Sequence, residues 1–123
     1  MRVMLIQPPM YHQQVQLSPN LGLASIAAVL EQDGVKVNVV DAAAEGLSYL
    51  QILDRIRAFK PDLIGAGGQT PVAHRSLTIF RRTKQEISPD IITIAGGPHF
   101  SFTDRESLVE CPELDIVVRG EGE

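Results

Sequence analysis

The chain has 123 residues, 44% of them apolar and 21% charged, the size and balance of one globular domain able to bury roughly two thirds of its unfolded surface. Its formal charge of −4, from 11 basic and 15 acidic residues, leaves no basic face to neutralise a run of phosphates, so no nucleic-acid partner is expected. The apolar runs fall far short of the ~20 residues of a membrane span, the opening Met1-Arg2 does not read as a secretory signal, and the single Cys111 excludes an internal disulfide or an all-cysteine metal site, so a cytoplasmic domain with no membrane partner is expected.

Apolar clusters of two kinds alternate along the chain. Val3–Ile6 reads as a first strand, followed by a loop over Gln7–Asn20. Ser18-Pro19, a hydroxyl cap followed by proline at the first helical position, opens a helix carrying Leu21, Leu23, Ala24, Ile26, Ala27, Ala28 and Leu30 on a wide buried face, and Gly34 stops it. Val35–Val40 is the second strand. A helix from about Ser48 places Leu50, Leu53, Ile56 and Phe59 on one stripe and must stop by Lys60, because Pro61 disfavours helix before it. After the third strand, Leu63–Ala66, Thr70-Pro71 repeats the hydroxyl–proline start, with Ala73, Leu77 and Phe80 inward and Arg75, Arg81, Arg82 and Lys84 mostly outward. Ile91–Ala95 is the fourth strand. Thr103-Asp104-Arg105-Glu106 is a capping-box pattern for a fourth helix, closed by Cys111-Pro112, and Ile116–Val118 is the fifth strand.

Short β-branched strands, apolar on both sides and alternating with helices, call for a parallel sheet covered on both faces. The expected fold is α/β: a flavodoxin-like, Rossmann-like doubly wound five-stranded sheet of order 2-1-3-4-5 in three layers, with residues 1–123 as one domain. In such a sheet ligands lie outside the carboxyl ends of the strands, near the reversal of strand order. The candidate loops are therefore Gln7–Asn20, Asp41–Leu47, Gly67–Pro71, Gly96–Phe102 and Arg119–Glu123.

Those loops are rich in glycine. Gly65, Gly67 and Gly68 close the third strand, Gly96 and Gly97 the fourth, and Gly120 and Gly122 the fifth. One such loop needs no more explanation than a turn; three neighbouring ones point to a broad, flat ligand lying on bare backbone. The dinucleotide fingerprint fails: the first strand runs into Gln7-Pro8-Pro9, and Gly65-Ala66-Gly67-Gly68-Gln69-Thr70 lacks its third glycine. The G-x-x-x-x-G-K-[ST] phosphate loop is absent, and the strand ends lack the clustered aspartates of a phosphate-accepting receiver domain. His74 falls on an exposed helix face, whereas His12 beside Tyr11 is either loop packing or a ligand contact. His99 sits at the ligand edge, where imidazole can donate a hydrogen bond, stack or coordinate. No carboxylate or thiol accompanies it at metal-site spacing, and Ser101 near it lacks a nucleophile-elbow sequence, so no protein-held metal and no catalytic residue is assigned. Cys111 reads as a small core residue.

Taken in order, Met1-Arg2-Val3-Met4-Leu5-Ile6-Gln7-Pro8-Pro9, Leu21-Gly22-Leu23-Ala24-Ser25-Ile26, Lys60-Pro61-Asp62-Leu63-Ile64-Gly65, Gly96-Gly97-Pro98-His99 and Val118-Arg119-Gly120-Glu121-Gly122-Glu123 resemble the amino-terminal cobalamin-binding domain of cobalamin-dependent radical S-adenosylmethionine proteins, among them the anaerobic magnesium-protoporphyrin monomethyl ester cyclases. The resemblance implies cobalamin (vitamin B12) against the carboxyl edge of the sheet, with its dimethylbenzimidazole nucleotide tail reaching down beside the strands. It implies contacts from Gln69, Thr70, Gly96, Gly97, Pro98 and His99, then Tyr11, Gly120 and Glu121, with Glu121 alternatively a cap or a contact to a further domain. The D-x-H-x-x-G motif that supplies a lower cobalt ligand in other cobalamin enzymes is absent, leaving lower-face coordination open. The family's C-x-x-x-C-x-x-C cluster site is also absent, so the chain reads as a binding module excised from a longer protein. That parent's carboxyl-terminal radical S-adenosylmethionine domain would carry the 4Fe-4S cluster and S-adenosylmethionine for a methyl transfer or oxidative cyclisation. The alternatives are a cofactor-free interaction scaffold of the same kind of protein and, more remotely, a flavin or nucleotide binder.

Overall fold

The computed structural model describes residues 1–9, 21–67, 73–97, 100 and 103–119. Strands β1 (Arg2–Gln7), β2 (Lys36–Asp41), β3 (Leu63–Gly67), β4 (Ile92–Gly96) and β5 (Ile116–Val117) pair in parallel in the order β2-β1-β3-β4-β5, as the alternation predicts. The connecting helices are α1 (Leu21–Gln32), α2 (Ala42–Glu45), α3 (Tyr49–Phe59), α4 (Ala73–Glu86) and α5 (Asp104–Glu110). The one-turn α2 falls in a stretch read as loop. It exists because the Asp41 carboxylate accepts the Ala44 amide and Gly46 ends the turn.

Register assigns the two faces. Val3 lies opposite Leu63 and Leu63 opposite Ile92, while Leu5, Gly65, Ile94 and Ile116 form the next row. Side chains alternate across a strand, so these residues share one face and Met4, Ile6, Ile64, Ala66 and Ala95 share the other. The second face carries the larger core, where Ile52, Leu53 and Ile56 of α3 and Leu77, Ile79 and Phe80 of α4 pack with Phe100, Cys111 and Leu114. The first face carries a smaller core in which Val3 and Leu5 meet Ala27, with Leu23, Ile26 and Leu30 half-buried around them.

Three expectations change here. The buried face of α1 is narrow, its packing falling chiefly on β1 and β2; Ala24, Ala28 and Val29 are exposed. The helical cover of that sheet face stops short of β4 and β5. Ile92 and Ile116 remain 38% and 44% exposed although their sequence reads as core, and among the described residues no helix lies over them. On α3 the inward stripe is Ile52, Leu53 and Ile56, while Leu50 is 62% exposed. The capping box of Ser48 and Gln51 fixes where the helix starts, and six residues at about 100° each place Leu50 roughly 120° from Ile56.

The start of α5 differs as well. Thr103 is its N-cap but makes no side-chain cap bond; its hydroxyl stands 3.1 Å from that of Ser107 instead. Phe59 and Lys60 end α3 as expected before Pro61, with Lys60 left-handed at φ 54° and its amide on the Ile56 carbonyl. The two-residue edge strand β5 is held at its entry by Asp115. Its carboxylate accepts the Thr93 amide and Lys84 Nζ, and Thr93 Oγ1 reaches the Glu113 carbonyl.

Candidate functional site at the carboxyl edge of the sheet

Of the residues the sequence nominates for ligand contact, Gly96 and Gly97 are described. Tyr11, Gln69, Thr70, Pro98, His99, Gly120 and Glu121 lie outside the described residues, as does His12. Gly96 and Gly97 stand where expected, at the carboxyl end of β4 beside Gly67 at the end of β3. The sheet turns the expected rim into a longer feature. Gly65, Gly67 and Gly96 share a face with Ile94 and Ile116; Gly65 is buried against Leu5, and Gly67 and Gly96 at the strand ends are half-buried.

These glycines have different reasons to be there. A Cβ on Gly67 would come within 2.5 Å of the Gly96 carbonyl oxygen, so the pairing of β3 with β4 itself excludes a side chain. A Cβ on Gly65 would meet the flexible end of Leu5 at 3.1 Å. Gly97 is held at φ 96°, a conformation that disfavours any residue with a Cβ. Gly96 is different. Its backbone is not left-handed, and among the described residues an added Cβ would find nothing nearer than the Val118 carbonyl oxygen at 3.9 Å. Neither its conformation nor a described neighbour therefore accounts for the missing side chain at Gly96.

Two side chains that the sequence did not single out reach this edge from the first turn of α4. Ser76, fully buried, donates from Oγ to the Gly67 carbonyl at 2.8 Å. Arg75, expected to point outward, donates from Nη1 to the Pro9 carbonyl at 2.6 Å. Ser76 was legible as a polar residue in the inward row of Ala73, Leu77 and Phe80. No pattern marks Arg75. On the far side, Arg119 Nε lies 3.9 Å from the Asp104 carboxylate.

Chemistry carried by the protein alone is sparse. Among the described residues no cluster of histidine, cysteine and carboxylates is arranged to hold a metal. His74 is exposed on α4, and burial pushes the Cys111 thiol above its ordinary pKa, so it is a poor nucleophile. An open cleft of about 510 Å³ lies at the opposite edge of the sheet, between Ile56, Lys60, Asp62, Ile87 and Ile91. It is remote from the strand ends where an open parallel sheet binds ligands.

The comparisons with known proteins agree with this geometry. Residues 15–123 match the model of a family described as B12 binding domain. An anaerobic magnesium-protoporphyrin IX monomethyl ester cyclase of Rubrivivax gelatinosus is 35% identical over all of this chain, which covers 23% of that protein. An uncharacterised methyltransferase of Pyrococcus horikoshii is 33% identical, again over the whole chain and 27% of the relative. Among solved structures, the cobalamin-dependent S-adenosylmethionine radical enzyme OxsB, with aqua-cobalamin and S-adenosylmethionine bound, superposes with a TM-score of 0.82 over 99% of this chain and 17% of its own, at 21% identity. The chain thus spans about a quarter of the length of the curated relatives it matches. No helix among the described residues is long and apolar enough to cross a membrane.

Proposed function

Because the chain belongs to the B12-binding domain family and is a cobalamin-binding module, we propose that the corrinoid lies on the glycine strip at the carboxyl ends of β3 and β4, with Gly96 beneath it. The observation that supports the placement is that a Cβ at Gly96 would meet nothing among the described residues nearer than the Val118 carbonyl oxygen at 3.9 Å. A corrin is broad, apolar at its centre and fringed with amides, so it needs an open floor without side chains and polar partners at the rim. Gly97 shapes the turn after β4. Gln69, Thr70, Pro98 and His99, with Tyr11, Gly120 and Glu121, are the rim residues of this reading. The role of the chain is to bind and orient; cobalamin, when bound, supplies methyl-carrying or one-electron chemistry.

The reading extends to a parent protein in which this domain stands beside a radical S-adenosylmethionine domain bearing a 4Fe-4S cluster, and which catalyses methyl transfer or oxidative cyclisation. The names and roughly fourfold greater length of the relatives support it. Absence of a membrane-length helix among the described residues and the lone buried thiol support a reducing, cytoplasmic compartment. Mixing the purified chain with hydroxocobalamin, desalting, and recording the visible spectrum tests the binding: retained corrin absorbance is expected, and a colourless protein would overturn the reading. Three cysteines at cluster spacing in the reading frame beyond Glu123 would bear out the parent, and their absence would remove it.

A further inference from the structure

One side of the sheet is composed for water and the other for cover. On the side of the larger core, α3 and α4 expose Asp54, Arg55, Arg57, Arg82 and Glu86, and Val117 of β5 packs with Cys111 and Leu114. On the opposite side α1 carries no charge from Leu21 to Leu30, yet it exposes Ala24, Ala28 and Val29. A helix apolar all round belongs inside a larger body. On that same side β4 and β5 present Ile92, Ile94 and Ile116, at positions where a sheet facing water carries polar residues. Among the described residues the smaller core draws on no helix but α1. The strip left bare is two strands wide, about 10 Å, which is the diameter of one helix.

We propose that the strip of Ile92, Ile94 and Ile116 is the seat of one amphipathic helix of the parent protein, supplied by the segment that follows residue 123 and lying on the same side as α1. The inference rests on the parent reading above. Three observations favour this occupant. The relatives that match along the whole of this chain are about fourfold longer, so further chain is at hand to cover the strip. Strand β5 stands at the edge of the sheet and forms part of the strip, so a segment leaving it needs only a short connection to turn back over β4. The other side of the same strands is already filled, because Val117 and Ala95 belong to the larger core with Cys111 and Leu114. A helix reaching back from β5 therefore finds one side vacant, and that side is apolar.

The test compares the 123-residue chain with the same chain lengthened by about 30 further residues of its reading frame, room for a connection and one helix, with any cysteine among them changed to serine. Ile92→Cys and Ile116→Cys each place a thiol on the strip, and Leu50→Cys places one on the exposed surface of α3, on the other side of the sheet. Cys111 is buried in all of them. Towards an aromatic disulfide reagent, both strip thiols are expected to react about tenfold more slowly or less in the lengthened chain, as a helix docked about nine-tenths of the time requires, while the Leu50→Cys thiol changes by less than about twofold. Far-ultraviolet circular dichroism establishes that each variant is folded, and either strip variant suffices if the other is not. Equal reactivity of the strip thiols in the two chains, or equal slowing of the Leu50→Cys thiol, would overturn the proposal. So would added residues without apolar side chains at helical spacing. Protection that grows with protein concentration would overturn it too, because it marks a second copy as the cover. A reading frame that stops at Glu123 removes the parent reading and this inference together, whereas equal reactivity removes the inference alone.

Discussion

Alanine at Gly96 and alanine at Gly67 separate the fold's needs from the ligand's. The two residues face each other across β3 and β4, yet only Gly67 has backbone in the way, 2.5 Å from its missing Cβ. Gly67→Ala must push the paired strands apart, an overpacking cost of about 1–3 kcal/mol. Gly96→Ala meets nothing among the described residues within 3.9 Å, at an ordinary φ. It should stabilise the free chain by about 0.4–1 kcal/mol through loss of unfolded-state freedom. For a domain of this size that is a rise of about 2–5 °C in melting temperature for Gly96→Ala and a fall of several degrees for Gly67→Ala. Binding should move the other way for Gly96→Ala. A methyl group thrust into the floor of the corrinoid site costs about 1–3 kcal/mol, or five- to 150-fold in the dissociation constant for hydroxocobalamin. Thermal unfolding and absorbance titration read the two quantities independently. A Gly96→Ala chain that is more stable and binds as before would remove Gly96 from the site, and one that is destabilised would refute the geometry. Gly97 is the poorer probe, because at φ 96° any larger residue disturbs the turn whether or not a ligand is near.

Other consequences follow from local chemistry. Ser48→Ala removes one arm of the capping box of α3 and should lower stability by about 1 kcal/mol, read as a drop in the urea midpoint at unchanged slope. Partial burial opposes the charge on Asp115, but bonds from Lys84 and from the Thr93 amide and hydroxyl outweigh it and hold the carboxyl below its ordinary pKa. Its folded pKa is depressed, so its contribution is present above the ordinary value of 3.8 and is lost as pH falls through the lower folded value. Asp115→Asn should therefore flatten the acid limb of a stability profile below about pH 4. Cys111 is buried, so it should resist an aromatic disulfide reagent in the native chain and react fully in denaturant. Ile116→Thr on the open face should change stability by less than about 0.5 kcal/mol, whereas Ile64→Thr, on the covered face, should cost several times more.

The sequence and the structure part company where a property depends on what lies next to an element rather than on the element itself. Strand order, the five strands and the ends of α3 were legible because hydrophobic period, Ser48 and Pro61 are local signals. The exposure of Ile92 and Ile116 was not, since an apolar strand reads the same with or without a helix above it. Leu50 was misread because residues spaced by three drift about 60° per step around a helix, which carries Leu50 off the face of Ile52, Leu53 and Ile56. Thr103 carried a valid cap sequence, but Ser107 offered its hydroxyl a partner that sequence spacing does not reveal.

At the site the difference is more instructive. Glycine clustering weighted Gly65, Gly67, Gly96 and Gly97 alike, although a strand contact accounts for Gly67 and a turn for Gly97. Only three-dimensional crowding singles out Gly96 as a residue whose lack of a side chain the described residues leave unexplained. The same holds for Arg75, which the helical wheel sends to solvent and the structure sends to the Pro9 carbonyl. A binding surface made of main chain leaves little in the sequence beyond the glycines that expose it.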